Sequence, residues 1–269
     1  MKQFILNKMP DAENLVRLKN EDYRYLVRVR RLAQGEFFPA LLPDGVQTLV
    51  QVLSVDHGVL TGKCIPSNEN SVTADEANTG TAPEKQTAVI LLQALPKGEK
   101  MDLIVRQAAE TGVSKIVPFI SEFSLIKKID REGQKFSRWQ KIIKEARQQS
   151  GSLIKTIIVP PLTIDGLFKY WDTIHDNGTL GLLFHHQNTG PEKAALHSYL
   201  ANAPKTAVLA VGPEGGFSGN EVSHFLEAGF KPLTIGDTIL RTETAALFCT
   251  AALNIILLER DSWEPKQTK

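Results

Sequence analysis

The stretch AVLAVGPEGGFSGNEV, residues 207–222, decides the fold of the larger part of this chain. It begins with five apolar residues of a buried strand, continues through a glycine-rich turn, and then places Ser218 three positions before Glu221. That spacing is a capping box, which predicts a helix from residue 219. A strand that runs through a short turn into a helix is typical of a parallel α/β sheet, and ligands bind at such turns. The sequence therefore predicts a ligand-binding loop over 212–219.

A second loop of the same kind follows in IGDTILRTETAAL, residues 235–247. Ile239 and Leu240 are apolar residues in a loop, which suits a buried slot for a flat ring. Thr242 and Glu243 fit the amino terminus of a helix. There, a hydroxyl can cap the first backbone N–H groups, and a carboxylate interacts favourably with the positive end of the helix dipole. Capping does not explain Arg241, a cation at the positive end of that dipole. We expect the loops 212–219 and 236–245 to form one ligand site.

The first loop matches neither GxGxxG nor GxxxxGK[ST], which argues against a dinucleotide-binding fold or a P-loop. By itself, a glycine-rich segment is also compatible with a simple tight turn. Phe217, just before the capping serine, is interpreted as a hydrophobic staple rather than a ligand contact.

Apolar runs and amphipathic segments alternate after residue 86, which predicts a parallel sheet covered by helices on both faces. Strands are predicted over 88–93, 115–120, 156–159, 180–185, 207–211 and 232–235. Helices are predicted over 100–111, 134–149, 192–202, 219–228 and 243–260.

The amino-terminal part has a different pattern. Short apolar runs at 37–42, 48–55 and 59–65 are separated by turn residues, which predicts a β meander or small barrel. Residues 66–86 are polar and lack large apolar side chains, so we interpret them as a linker or a mobile hairpin tip. The domain boundary is expected there.

Composition excludes several classes of protein. The sequence has no run of roughly 20 uninterrupted apolar residues and no signal-peptide pattern, so we expect a cytoplasmic protein without a membrane partner. Cys64 and Cys249 lie far apart without a CxxC pattern, which favours packing roles over a disulfide or zinc. His185 and His186 are adjacent on a strand end and point to opposite sides, so no metal site is predicted.

Charge is distributed unevenly along the chain, although the formal net charge is only +1. Residues 97–155 carry 13 basic and 7 acidic side chains, and residues 23–32 are basic without an acid. Such patches suit a polyanionic partner such as RNA. A solvated helix face can be equally basic, so charge alone leaves nucleic-acid binding open. The arginines of the second patch are Arg24, Arg28, Arg30 and Arg31.

Taken together, the two loops resemble those of the knotted SPOUT methyltransferases, most closely the 16S rRNA uridine-N3 methyltransferases often called the RsmE family. Three further segments resemble this family, so the resemblance covers nearly the whole chain. They are YLVRVRRLAQGE at 25–36, GEKMDLIVRQAAETGVSKIVPFISEFS at 98–124 and RWQKIIKEARQQS at 138–150.

The resemblance implies an α/β fold with two domains. Residues 87–269 would form a knotted SPOUT methyltransferase domain with a parallel sheet. Residues 1–73 would form an N-terminal PUA-like, RNA-binding β-barrel, and 74–86 a linker or mobile loop. It also implies a homodimer that acts on 16S rRNA or the small ribosomal subunit, with S-adenosyl-L-methionine as cofactor. Its implied cofactor-binding residues are Leu183, Phe184, His185, Gly212, Pro213, Glu214, Gly215, Ile235, Gly236, Ile239, Leu240, Thr242 and Ala245.

The chemistry of uridine N3 indicates which side chains the reaction needs. N3 carries a proton near neutral pH, so some group must stabilise the uracil that is deprotonated at N3. We assign this role to Arg241. Glu214 and Glu243 are alternative proton acceptors, and either can instead be structural. The uridine has to be unpaired or flipped to be reached, with the basic patch, chiefly Arg28 and Arg31, contacting phosphates.

Two other functions are compatible with the sequence. The chain could be a SPOUT methyltransferase for another RNA base or a ribose 2′-hydroxyl. It could also be a noncatalytic rRNA-binding assembly factor that retains the fold, in which case it would not bind S-adenosylmethionine.

Overall fold

A computed structural model describes residues 3–65, 87–126, 133–185, 195–202, 204–234 and 238–259. The chain divides into two compact units, Met1–Glu84 with Arg147–Leu153, and Lys85–Ala146 with Ile154–Lys269. The predicted linker 74–86 lies outside the described residues, so the predicted domain boundaries stay predictions. The sequence did not indicate that 147–153 belongs to the first unit, where the Gln3 side chain donates to the Ser152 carbonyl at 3.1 Å.

The first unit contains a five-stranded sheet in the order β1-β3-β4-β5-β2. The β1–β3 pair is parallel, and the other pairs are antiparallel. The predicted meander is confirmed, and the structure adds two earlier strands and a helical segment. Its elements are β1 Phe4–Ile5, β2 Leu15–Lys19, α1 Asn20–Tyr23, a π-helical segment Arg24–Val29, β3 Phe37–Leu41, β4 Gln47–Asp56 and β5 Val59–Ile65.

The second unit is an α/β domain around a parallel sheet in the order β12-β10-β11-β6-β7-β8, with β9 paired to β7. Every pair in this sheet is parallel, as the alternation of strands and helices predicted. Its strands are β6 Ala88–Ala94, β7 Lys115–Ile120, β8 Ile157–Ile158, β9 Leu162–Thr163, β10 Thr179–Phe184, β11 Thr206–Val211 and β12 Lys231–Leu233. Its helices are α2 Lys100–Glu110, α3 Gln134–Ser150, α4 Ile164–Ile174, α5 Leu196–Leu200, α6 Gly219–Glu227 and α7 Thr242–Glu259.

Each face of this sheet has its own apolar core, because successive side chains of a strand point to opposite faces. On β6, Val89 and Leu91 pack with α2, α3, α5 and α7, whereas Ile90 and Leu92 pack with α4 and α6. Leu91 and Leu92 are both fully buried. The sheet is thus covered on both faces, as the continuous apolar strands predicted.

Two helices differ between the prediction and the structure. The helix expected over 192–202 is described only as α5, since 192–194 lie outside the described residues; Leu200 is its one buried residue. Helix α4 was not predicted, although its start has a clear signal. Thr163 is its N-cap, and the Thr163 hydroxyl accepts from Gly166 N at 3.1 Å.

Helix α7 is the one helix among the described residues that is long and apolar enough to cross a membrane, judged by length and composition alone. Core helices of soluble proteins pass the same test. One side of α7 packs against α2, β11 and β6, with Cys249 and Leu253 almost completely buried. Burial raises the pKa of the Cys249 thiol to about 12, so this cysteine is a packing residue, as predicted.

Candidate active site

The site begins where three parallel strands end side by side. Phe184 on β10 pairs with Val211 on β11 and with Leu233 on β12. Just beyond, His185 N donates to the Leu233 carbonyl at 3.2 Å, and Thr234 Oγ1 donates to the His185 carbonyl at 3.0 Å. The loops that follow these strands therefore start next to one another, as expected for ligand loops of a parallel sheet.

The loop after β11 is tightly folded. Gly216 N donates to the Pro213 carbonyl at 2.9 Å, and Gly216 has a φ of 72°, a conformation that glycine adopts readily. A Cβ on Gly212 would lie 3.1 Å from the Gly216 carbonyl carbon, so the backbone passes too close to itself for a larger residue. Gly212 and Pro213 are buried, whereas Gly215 is exposed.

Helix α6 starts with the predicted capping box. Ser218 N donates to Glu221 Oε2 at 2.9 Å, and Glu221 N donates to Ser218 Oγ at 3.2 Å. Glu221 is buried and also accepts from Ser121 Oγ and Glu122 N beyond β7, at 3.0 and 2.9 Å. Phe217 is buried in the same core as Val222, which fits the predicted staple. The carboxylate thus fixes the start of α6 to the end of β7.

The second loop is described from Thr238 onward, so the predicted site residues Ile235 and Gly236 lie outside the described residues. Ile239 is 79% exposed, so the prediction that it lies in a buried slot is wrong for this residue, whereas Leu240 packs partly buried against the core. The Arg241 carbonyl accepts from Ala245 N at 2.7 Å, which places Arg241 at the start of α7.

Thr242 joins the two loops. It is buried, and its hydroxyl donates to the Gly212 carbonyl at 2.6 Å. The same oxygen accepts from Gln93 Nε2 at 3.0 Å, and that amide also donates to the Ala94 carbonyl at 2.9 Å. Three elements, β6, the first loop and α7, are therefore held together by one hydroxyl. Gln93 was not predicted, because nothing local in the sequence marks it.

Lys100, at the start of α2, lies between the carboxylates of the two loops. Its Nζ is 3.0 Å from Glu214 Oε1 and 3.3 Å from Glu243 Oε2. Glu214 also accepts from the backbone N–H of Lys97 at 3.2 Å. The structure thus brings together Glu214 and Glu243, the two predicted proton acceptors, around a cation that the sequence analysis missed.

These contacts shift two pKa values. The hydrogen bond with Glu214 raises the pKa of Lys100, while burial opposes the shift. Burial raises the pKa of Glu214, but hydrogen bonds from Lys100 and backbone N–H groups outweigh it, so the pKa lies below its usual range. Glu214 is accordingly held in its charged form.

The other predicted site residues have the following positions. Leu183 and His185 are buried at the end of β10, Phe184 is half-buried, and Ala245 is buried in the first turn of α7. Arg241 is exposed, and its guanidinium has no ion pair or hydrogen bond within the part of the chain that the structure describes.

The predicted RNA contacts belong to the first unit. Arg24 and Arg28 are exposed on the π-helical segment, Arg31 is exposed just beyond it, and Arg30 is half-buried. Leu26 is fully buried in the core of the five-stranded sheet, so one side of this segment is anchored while its arginines reach solvent.

No group of three or more His, Cys, Asp and Glu side chains that could hold a metal ion occurs among the described residues. His186 lies outside them. A cavity of about 640 Å³ opens at the carboxyl end of β7, between the starts of α4 and α6. Among the described residues, none of the predicted site residues lines this cavity, although Asn220 and Glu221 in its lining directly follow the first loop.

Comparison with known proteins identifies the class. The family model of the RNA methyltransferase domain matches residues 83–254, which include the sheet and both loops. The chain is 33% identical over 247 residues to the ribosomal RNA small subunit methyltransferase E of Synechocystis, covering 91% of this chain and 74% of that protein. The enzyme of the same name from Bacillus subtilis is 26% identical, with 88% of each chain covered. This chain belongs to the ribosomal RNA small subunit methyltransferase E family.

Solved structures agree with this assignment. A protein of Legionella pneumophila in complex with the bound cofactor S-adenosylmethionine is 28% identical, with a TM-score of 0.74 over 94% of this chain and 96% of that one. The ribosomal RNA small subunit methyltransferase E of Neisseria gonorrhoeae has the same fold, with a TM-score of 0.76 at 24% identity over 94% and 97% of the two chains.

Proposed function

We propose that this chain transfers a methyl group from S-adenosyl-L-methionine to N3 of a uridine in 16S rRNA of the small ribosomal subunit. The observation that carries the proposal is the joined pair of loops, in which Thr242 bonds Gly212 and Lys100 bridges Glu214 and Glu243. Membership of the family supports the reaction, and the Legionella relative with bound S-adenosylmethionine supports the cofactor.

The lining of the two loops fits this cofactor. Ile239 offers an exposed apolar surface, and the glycines of the first loop allow a ligand to approach the backbone closely. An apolar and glycine-rich lining suits a neutral heterocycle such as adenine better than a phosphate. We assign cofactor binding to Leu183, Phe184, His185, Gly212, Pro213, Glu214, Gly215, Ile235, Gly236, Ile239, Leu240, Thr242 and Ala245. We further propose that the chain is knotted at these loops.

When bound, the cofactor supplies an electrophilic methyl group for in-line attack by the nitrogen. The protein has to orient the uracil and favour its deprotonated form. We propose that Arg241 does the latter by stabilising the charge that develops on a uracil oxygen. Its exposed guanidinium, without an ion pair among the described residues, supports this role.

Either Glu214 or Glu243 could accept the N3 proton. For Glu214, the ion pair with Lys100 opposes that role, because a carboxylate held charged by an ammonium group is a weaker base. Glu243 is occupied by its own ion pair with Lys100. We therefore propose that both are chiefly structural and that the proton leaves to solvent.

The first unit is proposed to be a PUA-like barrel that holds the rRNA around the target uridine. Arg24, Arg28, Arg30 and Arg31 would contact phosphates, which explains why a short helical segment exposes so many cations.

The exposed side of α7 supports the proposed homodimer. Phe248, Ile255 and Leu258 are 46%, 52% and 70% exposed. Their spacing of seven and three residues places them on one face of the helix. An apolar helix face of this kind suits burial against a second copy of the chain. We propose that the dimer acts in the cytoplasm, where ribosomal subunits are assembled.

The test is methylation in a purified system. Unmodified 16S rRNA, free or in assembled small subunits, is incubated with the protein and S-adenosylmethionine, and its nucleosides are analysed by mass spectrometry. We expect 3-methyluridine to appear. A ribose-methylated or different methylated nucleoside would instead identify another target of the same fold. Failure to bind S-adenosylmethionine in calorimetry would favour a noncatalytic assembly factor.

A further inference from the structure

The ion pairs of Lys100 with Glu214 and Glu243 determine whether Arg241 is drawn into this cluster or stays available. Lys100 is the first residue of α2, Glu214 belongs to the loop after β11, and Glu243 lies in the first turn of α7. Their side chains are only 26%, 28% and 14% exposed, so solvent screens the cluster incompletely.

The cluster has an excess of one negative charge, since one ammonium group faces two carboxylates. Arg241 is a cation of the second loop, and only Thr242 separates it from Glu243 in the sequence. Without Lys100, two carboxylates would face each other with no counterion between them. Arg241, the one cation in the sequence of the second loop, 236–245, would then be attracted to them.

We propose that Lys100 is a positioning residue for methyl transfer, whose ammonium group neutralises Glu214 and Glu243 and thereby leaves Arg241 free to face the substrate. The proposal rests on the proposed function, because it assigns Arg241 to the uracil. It also explains why a lysine joins two loops that the hydroxyl of Thr242 already connects.

The test compares the wild-type protein with four variants in single-turnover methylation of unmodified 16S rRNA. In Lys100→Met, we expect the rate to fall about 10- to 100-fold because Arg241 is drawn to the carboxylates. Lys100→Arg keeps the positive charge and should retain most of the wild-type rate. Lys97→Met is the matched control, because the Lys97 side chain is exposed and only its backbone N–H contacts Glu214.

A double variant separates this role from simple bracing of the loops. Lys100→Met with Glu243→Gln restores the net charge of the cluster without restoring the bridge. We expect its rate to be about tenfold higher than that of Lys100→Met. If Lys100 acts only as a structural bridge, the rates of the two variants should be equal. Thermal unfolding of each variant checks that it is folded.

The outcomes are distinguishable. An inactive wild-type protein would overturn the proposed function and this inference with it. An active wild type together with a fully active Lys100→Met, or a double variant no faster than Lys100→Met, would overturn the role of Lys100 alone.

Discussion

At the scale of single residues, the hydroxyl of Thr242 links β6, the first loop and α7. Replacing Thr242 with valine keeps the shape but leaves the buried Gly212 carbonyl without its donor and removes an acceptor for Gln93. We expect a loss of about 1–3 kcal/mol in the free energy of unfolding, measured by urea denaturation. Affinity for S-adenosylmethionine, measured by calorimetry, should fall as well.

Thr244→Val is the matched control, because Thr244 is exposed on the same helix two residues later. It should change the free energy of unfolding by less than about 0.5 kcal/mol. Equal effects of the two substitutions would contradict the bridging role of Thr242.

Arg241 is expected to act in the chemical step rather than in cofactor binding. Arg241→Ala should lower turnover about 100-fold or more, as loss of one stabilising donor does in other enzymes. Cofactor affinity should stay nearly unchanged. Arg106→Ala, which removes an exposed arginine from α2, is the control and should keep full turnover. Wild-type turnover by Arg241→Ala would exclude this residue from the mechanism.

The sequence predicted those site residues that have a local signal. The Ser218–Glu221 capping box is visible because its members are three residues apart, and the structure has it. Lys100 and Gln93 were missed because their partners Glu214 and Thr242 lie more than a hundred residues away. Contacts at that separation depend on the order of the strands, which a single sequence does not reveal.

At the scale of elements, the basic π-helical segment can be tested for RNA binding. Exchanging both Arg28 and Arg31 for glutamine should weaken rRNA binding and lower the slope of log affinity against log salt by about 1.5, since two phosphate contacts are lost. The measurement is a filter-binding or anisotropy titration at several salt concentrations.

Lys169 and Lys231 offer a control with the same change in charge. Both are exposed in the second unit, on α4 and β12. Their exchange for glutamine should leave the salt slope nearly unchanged. An equal decrease for both pairs would show that only total charge matters and would remove Arg28 and Arg31 as specific contacts.

Most elements of the second unit could be predicted from sequence periodicity, because buried strands and amphipathic helices leave distinct patterns. The exceptions are a strand too short to show a period and the helix that follows it. Strand β9 has two residues, too few for a period to be visible, and α4 follows it directly with Thr163 as its cap. The π-helical form of Arg24–Val29 also has no sequence pattern that distinguishes it from an ordinary helix.

At the scale of the whole molecule, the apolar face of α7 predicts the oligomeric state. Ile255→Glu places a charge in the middle of that face, so we expect the dimer to dissociate into monomers in sedimentation or light-scattering experiments. Val46→Glu, at an exposed turn of the first unit, should remain a dimer. A wild-type protein that is monomeric at micromolar concentration would contradict the proposed interface.

The overall architecture was only partly accessible from the sequence. The parallel sheet with helices on both faces followed from alternating patterns, and the structure has it. The strand order, in which β12 lies beside β10 rather than β11, depends on long-range packing and was not predicted. The inclusion of Arg147–Leu153 in the first unit was not predicted either. The end of a helix has no sequence pattern that indicates to which unit it belongs.

The central claim is that this chain makes 3-methyluridine in 16S rRNA. The most direct measurement is mass spectrometry of 16S rRNA nucleosides from a strain that lacks the gene, complemented with the wild-type chain or with Arg241→Ala. We predict that 3-methyluridine is absent without the gene, returns with the wild-type chain and does not return with the variant. An unchanged level of 3-methyluridine in the strain without the gene would contradict the account.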